Sequence, residues 1–562
     1  MDNNIKIIPF GGVRENGKNM YAVEIEDQIF ILDTGLKYPE NELMGIDVVI
    51  PDWEYLREHK DKIVGVFLTK LAVKSHKEVK KFNDFHVVDA STAIDFNDVT
   101  VSFFQTTHTI PETLGVVLET RAGNIVYTGD FKFDQTAKKG YQTDLARLAE
   151  IGSQGVLALL SDSAGAGITG ASAREQDIGD YIKETFKYQN GRIIVASVAS
   201  NIMRVQQIIN AAVAVGRKIV LSGKDIEQII DTAMSLGKLH LPDDLFIGRK
   251  EAEKLEPNQV VILETGKMGE PIKSLQQIAN GDNPNLQLTD TDLVFVTTTP
   301  SYAQETEVQK TKDMIYRTGA EVKFISDDLN PSGHANQNDE QLMLNFMKPK
   351  FFIPIQGEYR LLDRHAELAE EVGVPKENIF LVNKGDVLTY KNGKFHVGEH
   401  IDVSNTMIDG TGVGDIGNIV LRDRRVLSED GIFVVVATID RKKKKIVARP
   451  QITSRGFVFV KTNRQLMQQS ADLVEKIVQE NLDQKEFDWS HLKQDVRDKL
   501  NRFLFDQTKR HPVILPVIME INQHQKKIKN NVEKKEEKSA KPRSMKEHHR
   551  GRGKKRMAKE KK

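Results

Sequence analysis

The stretch Val64–Glu78, VGVFLTKLAVKSHKE, decides how the chain around it is read. Val64–Leu68 is a short apolar run of strand length closed by Thr69, and Lys70–Lys80 has a helical pattern. In layered α/β proteins the loops just past the carboxyl ends of strands gather the chemistry, because the rigid sheet positions them. Here that place is taken by Lys70, Leu71, Ala72, Val73, Lys74 and Ser75. No His or Asp follows the strand directly. His76, in its helical setting, is expected on the surface rather than at a metal.

Neighbouring strands do end in polar residues. Met20–Asp33 (MYAVEIEDQIFILD) is two alternating apolar runs about Glu26–Gln28, a hairpin that ends at Asp33-Thr34-Gly35. Val99–Thr106 leads to Thr107-His108. Gly115–Glu119 and Ile125–Thr128 pair across Arg121–Asn124, ending at Gly129-Asp130, and Val156–Leu160 ends at Ser161-Asp162-Ser163.

From about Ala173 strands and helices alternate. Strands at 192–196, 218–221, 260–264, 293–297 and 321–325, with helices at 202–215, 225–236 and 306–318, predict a parallel sheet covered on both faces. Ser200–Arg204 (SNIMR) reads either as amides and a guanidinium offered to a phosphate or as an ordinary helix entry. The loop Leu329–Gln337 (LNPSGHANQ) then leads through a helix at 339–347 and a strand at 351–355 to Gln356-Gly357-Glu358. Residues 402–430, with Gly410, Gly412, Gly414 and Gly417, read as a linker. A smaller α+β unit closes the pattern, with strands at 432–439, 445–449, 456–459 and 513–520 and helices at 463–480 and 489–507.

A length of 562 residues suggests three or four domains at roughly 150 residues each. No apolar run approaches the ~20 residues that span a bilayer, and MDNNIKIIPF has neither region of a signal peptide. The absence of cysteine excludes disulfides and thiolate metal sites and predicts a reducing, cytoplasmic setting without a membrane. The net charge of zero hides an asymmetry. Residues 523–562 hold 17 Lys and Arg against 5 Asp and Glu, which leaves 63 against 75 for the rest of the chain. The basic tail has almost no apolar residues and is expected to be disordered, and Arg550–Arg556 (RGRGKKR) reads either as a binder of nucleic-acid phosphates or as an ordinary solvated charge run.

The segments GGVRENGKNMYAVE (Gly11–Glu24), LDTGLKYPE (Leu32–Glu40), TTHTIPE (Thr106–Glu112), TGDFKFD (Thr128–Asp134), LLSDS (Leu159–Ser163), SGH (Ser332–His334), PIQGEYR (Pro354–Arg360) and GDIGNIVLRDRR (Gly414–Arg425) occur in this order. Together they resemble ribonuclease J, a metallo-β-lactamase/β-CASP ribonuclease, from about Ile5 to Glu520. The resemblance implies an α/β fold: a metallo-β-lactamase αββα sandwich with an inserted Rossmann-like β-CASP domain, plus a C-terminal α+β domain. The expected parts are residues 1–172 and 336–415 for the sandwich, 173–335 for β-CASP, 416–430 for the linker, 431–522 for an assembly domain and 523–562 for the tail.

In that family two metal ions, usually Zn2+, activate a water for attack on RNA, giving 5′-to-3′ exonuclease and sometimes endonuclease activity on 5′-monophosphate RNA. His108 matches one metal ligand and Asp130 the carboxylate that bridges the ions. The H-x-H-x-D-H motif due after Thr69 is missing, as though a few dozen residues had been removed in frame. The last ligand, the His of P-I-H-G-E, is Gln356 here, and a neutral amide is a poor zinc ligand. The two survivors are too few for one ion, which needs three or four protein ligands. Asp33 and Asp162 are expected to orient loops or ligands. Asn330, Pro331, Ser332, Gly333 and His334 are expected to hold RNA near the scissile phosphate. Gln356 and the loop DDLNPSGHANQ resemble the second paralogue type, which pairs with an active relative. The implied protein is a catalytically impaired RNA-binding subunit, assembling with itself or with an active ribonuclease J paralogue. The alternative is a metal-dependent hydrolase with weak residual nuclease activity.

Overall fold

The computed structural model describes residues 4–39, 43–70, 84–223, 226–265, 271–299, 305–327, 329, 331–410 and 412–521. The chain divides into two compact units, residues 1–40 with 45–415, and residues 416–562 with 41–44.

In the first unit two six-stranded sheets face each other. One runs Lys394–His400, Asp386–Lys391, Ile5–Gly11, Met20–Ile25, Gln28–Leu32, Ile63–Phe67. The other runs Phe351–Ile355, Val156–Asp162, Gly123–Tyr127, Thr113–Thr120, Val99–Thr106, Ala93–Phe96. Successive side chains of a strand point to opposite faces, so each sheet contributes one apolar face to a shared core. Val23, Phe30 and Leu32 meet Val101, Phe103, Val116 and Leu160 there. On the outer face of the second sheet, Phe104, Val117, Val126 and Leu159 are covered by Leu148 and Ile151 of helix Leu145–Gln154 and by Met343 and Met347 of helix Gln337–Met347. This is the αββα sandwich.

The expected hairpin turns at Glu26-Asp27, with Ile25 opposite Gln28 and Glu26 at φ +53°. The deciding strand is Ile63–Phe67, at the edge of its sheet and parallel to Gln28–Leu32. Its Val66 is 49% exposed, while its register partner Ile31 is 4% exposed. The apolar cover of that outer face thus thins at the edge. The helix expected at 70–80 lies outside the described residues except for Lys70.

The inserted sheet has five parallel strands in the order Lys218–Ser222, Val260–Glu264, Ile193–Ala196, Leu293–Val296, Glu321–Phe324. One face packs under Ile182, Val205 and Ile208, the other under Leu275, Ile278 and Ile315. It is the Rossmann-like domain. Helix Pro271–Ala279 went unread in the sequence, although Ile272, Leu275 and Ile278 form a buried stripe along it.

The second unit holds a three-stranded sheet, Lys445–Arg455, Ile432–Asp440 and Val513–Glu520, packed by helices Arg464–Asp483 and Trp489–Thr508. Two readings change here. The strands expected at 445–449 and 456–459 are instead one strand, Lys445–Arg455, ended by Gly456 at φ +71°. A side chain on Gly431, at φ +75°, would meet the backbone of Gly456 at 2.4 Å, so the two glycines let the chain turn back closely. Residues 416–430, expected as a linker, form helix Asn418–Glu429. The glycines of that region sit before the helix and none lies inside it, so they punctuate the chain rather than unravel it.

Candidate functional site

Four strand ends and one returning loop converge in the first unit. Asp33, at φ +58°, follows strand Gln28–Leu32. Its carboxylate accepts from the Thr69 amide at 2.9 Å, from the Thr69 hydroxyl at 2.8 Å and from the Tyr127 hydroxyl at 2.8 Å. A left-handed backbone at a non-glycine residue costs of order 1 kcal/mol and persists where the surroundings over-determine it. Three hydrogen bonds from two strands do that here. Asp33 therefore fixes the residue at which the deciding stretch leaves its strand.

His108 is 5% exposed and its Nδ1 lies 2.9 Å from the Gly333 carbonyl oxygen. A carbonyl only accepts, so Nδ1–H donates and Nε2 keeps its lone pair. That nitrogen stands 3.7 Å from Asp130 Oδ2 and receives the Thr109 hydroxyl at 3.2 Å. Burial, and then the positive charge of Lys70, push the His108 pKa well below its ordinary value, so the ring is neutral. Gly333 is required by closeness, because a Cβ there would meet Thr109 Cγ2 at 2.7 Å and His108 Cε1 at 2.9 Å.

Asp162 receives His334 Nδ1–H at 2.6 Å and the Ala164 amide at 2.9 Å. Asp130, Asp162 and His334 bring one ligand atom each within 4.8 Å of one another, a cluster able to hold a metal ion. Sequence reading put Asp162 behind the ligands and His334 on the RNA. The structure puts both in the same cluster as Asp130.

Two features weigh against the metal pair. The ammonium of Lys70 contacts Asp130 Oδ2 directly. Burial lowers the Lys70 pKa, and the carboxylates of Asp33 and Asp162 oppose that shift. Gln356, at φ +56°, turns its side-chain oxygen to Asn19 Nδ2 at 2.5 Å. Two ions would need three or four protein ligands each. Among the described residues the cluster offers two carboxylates and two imidazoles, with one carboxylate already holding an ammonium. The described residues do not fit a pair of ions.

Of the expected RNA loop, Asn330 lies outside the described residues, Pro331 and Gly333 are buried, and Ser332 and His334 are half-buried. The Ser332 hydroxyl caps the His334 amide at 3.0 Å. His76 and the RGRGKKR tail lie outside the described residues. In Ser200–Arg204 the guanidinium expected for a phosphate is buried instead. Asn201 caps helix Ile202–Ala214, while Arg204 is 1% exposed with Glu175 at 3.7 Å.

Sequence reading missed Lys70, whose signal was present as the first residue past Thr69. It also missed Glu340 and His365, both fully buried behind Asp162. His365 Nδ1 pairs with the Ser163 hydroxyl at 2.9 Å, and burial drives its pKa down to about 3. Burial and the nearby Asp162 hold the Glu340 pKa well above the usual carboxylate range.

Three family models match the chain: the ribonuclease J beta-CASP domain at residues 190–315, the Zn-dependent metallo-hydrolase RNA specificity domain at 321–382, and the ribonuclease J C-terminal domain at 419–521. Ribonuclease J 2 of Streptococcus pyogenes serotype M3 is 49% identical over 549 residues, covering 92% of this chain and 99% of that protein. Ribonuclease J2 of Bacillus subtilis strain 168 is 42% identical, with 92% and 99% covered. Ribonuclease J 2 of Staphylococcus aureus strain NCTC 8325 is 41% identical, with 92% and 98% covered. Because 92% of 562 residues is about 517, the 549-residue match with the Streptococcus protein leaves about 30 positions without a counterpart here. The chain belongs to the ribonuclease J family and, within it, to the second, J2 type.

Proposed function

We propose that this chain acts in RNA processing and decay as an RNA-binding subunit, with little hydrolysis of its own, alongside an active ribonuclease J. One observation carries the reading: the Asp130 carboxylate, where a bridge between metals is expected, holds the ammonium of Lys70. The loop at Pro331–His334 supports RNA binding, since it lies against His108 and carries His334 into the same cluster. Zinc uptake in pairs is not part of this reading, because the donor set among the described residues is too small.

Assembly with a like chain finds support in the second unit. Leu515, Val517 and Met519 are 41%, 43% and 48% exposed on the sheet face away from the helices. An apolar stripe of this kind marks an interaction surface. A cytoplasmic setting is supported by the absence of cysteine. Among the described residues no helix is long and apolar enough to cross a membrane.

A second reading has its own observation, the convergence of Asp130, Asp162 and His334 within 4.8 Å. One divalent ion held there would support weak cleavage, by lowering the pKa of a bound water and neutralising phosphoryl charge. The purified chain, incubated with 5′-monophosphate RNA and Mn2+ or Zn2+ beside an Asp130→Ala control, separates the two. RNA retention without cleavage supports the first reading. Cleavage that Asp130→Ala abolishes supports the second.

A further inference from the structure

The geometry points to Lys70 as a built-in counter-ion: its ammonium contacts Asp130, the carboxylate that would hold a divalent cation together with Asp162 and His334, and so makes the site metal-independent. This deepens the functional reading above and rests on it.

The position of Lys70 is set by its neighbour. Thr69 is clamped by the Asp33 carboxylate through both its amide and its hydroxyl. From the other side Gly129 approaches it so closely that a Cβ there would meet Thr69 Cγ2 at 2.9 Å, with Gly129 at φ +58°. Residue 69 thus packs on residue 129, and residue 70 reaches residue 130. Nothing longer than one side chain is needed to bring the ammonium to the carboxylate. The strand leading to residue 69 and the strand leading to residue 129 belong to the two facing sheets, so the pairing is a property of the sandwich.

Charge gives the same answer. Asp130 is 5% and Asp162 1% exposed, and buried carboxylates need a positive or hydrogen-bonding partner. Asp162 has His334 and the Ala164 amide. Asp130 has Lys70, because His108 is committed through Nδ1 to Gly333 and presents only a lone pair. Lys132, a buried lysine nearby, is bound to Glu175 at 2.6 Å. A divalent ion on Asp130 Oδ2 would have to displace the ammonium or share the oxygen with it, and like charges at contact repel strongly. A Lys side chain, a compact ammonium on a flexible stem, suits this role.

The test is metal affinity, measured on the full chain by titration calorimetry with Zn2+ and separately with Mn2+, with metal content per chain as a cross-check. The wild-type protein and Lys70→Arg, which keeps the charge, are expected to show no Asp130-dependent site. Lys70→Met is expected to bind about one ion per chain at least tenfold more tightly, and Lys70→Met with Asp130→Asn to lose it again. Equal Asp130-dependent binding by wild type and Lys70→Met overturns the proposal, as does a folded Lys70→Met that binds no ion. Should Lys70→Met lose its cooperative melt, Lys70→Gln takes its place under the same criteria. RNA cleavage is not the readout, so cleavage by a metal-free wild type would sink the functional reading while leaving this one standing.

Discussion

His108 Nδ1 donates to the carbonyl oxygen of Gly333 at 2.9 Å, joining residues 225 positions apart in the sequence. That one bond fixes the imidazole tautomer, seats the returning loop on the sandwich, and leaves Nε2 with its lone pair toward Asp130. It links the strand end of the first domain to the segment expected to hold RNA.

Gly333→Ala should therefore damage both stability and binding. The added methyl would meet Thr109 Cγ2 and His108 Cε1 below 3.0 Å. Overpacking of this kind typically costs about 1–3 kcal/mol. The urea midpoint should fall by a matching amount, and retention of single-stranded RNA in a filter assay should weaken.

Asp33→Ala should destabilise the first unit more than a surface change would. It leaves the Tyr127 hydroxyl, buried in the core, and the Thr69 amide without their acceptor. Each buried unsatisfied donor costs about 1–3 kcal/mol. The thermal midpoint should drop by several degrees. The test is calorimetry, and an unchanged melt would contradict the clamp.

Glu340→Gln should change the pH dependence of stability. Burial raises the folded-state pKa of Glu340 above its unfolded value of 4.5, so its contribution is complete below that value and is lost as pH rises toward the folded pKa. The amide has nothing to titrate. Relative to wild type, the variant should gain about 1.4 kcal/mol per pH unit above 4.5 until the folded pKa is reached. His365, pushed down to about 3, works in the opposite sense, because its unfolded form takes up a proton below 6.5 and the folded form does not until about 3. It sits 4.0 Å from Glu340, so the slope is read above pH 6.5, where His365 is neutral both folded and unfolded. Paired denaturation curves from pH 6.5 to 8 measure it.

Gln356→His should not restore metal-dependent cleavage. The substitution returns one imidazole, yet Lys70 still occupies Asp130 and the residues after Thr69 supply no His-x-His pair. Cleavage of 5′-monophosphate RNA should stay at the wild-type level, with metal content per chain unchanged.

Val517→Lys should disrupt assembly while sparing the fold. Val517 is 43% exposed and its partners across the sheet face away from the helices. The melt should hold, and light scattering behind size-exclusion chromatography should report a lower mass.

Much of this molecule was legible in the sequence. Strands such as Val99–Thr106 and Val156–Asp162 carry alternating or wholly apolar patterns, because a buried sheet leaves no other choice at those positions. The inserted domain was legible for the same reason. Residues 416–430 were misread because glycine content blurs a boundary that only helix geometry draws, and helix Pro271–Ala279 hid behind a short, weakly apolar stripe.

By itself the sequence determined the family, the order of its domains and that no H-x-H-x-D-H motif follows Thr69. Those are properties of residue identity and spacing along one dimension. Only the tertiary structure decided that Lys70 meets Asp130, that Asp162 and His334 join the same cluster, and that Arg204 is buried rather than exposed. Each of those depends on which strands the sandwich brings face to face and on how closely glycines such as Gly129 and Gly333 let neighbouring side chains approach their backbone. Such distances across the fold are written in no local pattern.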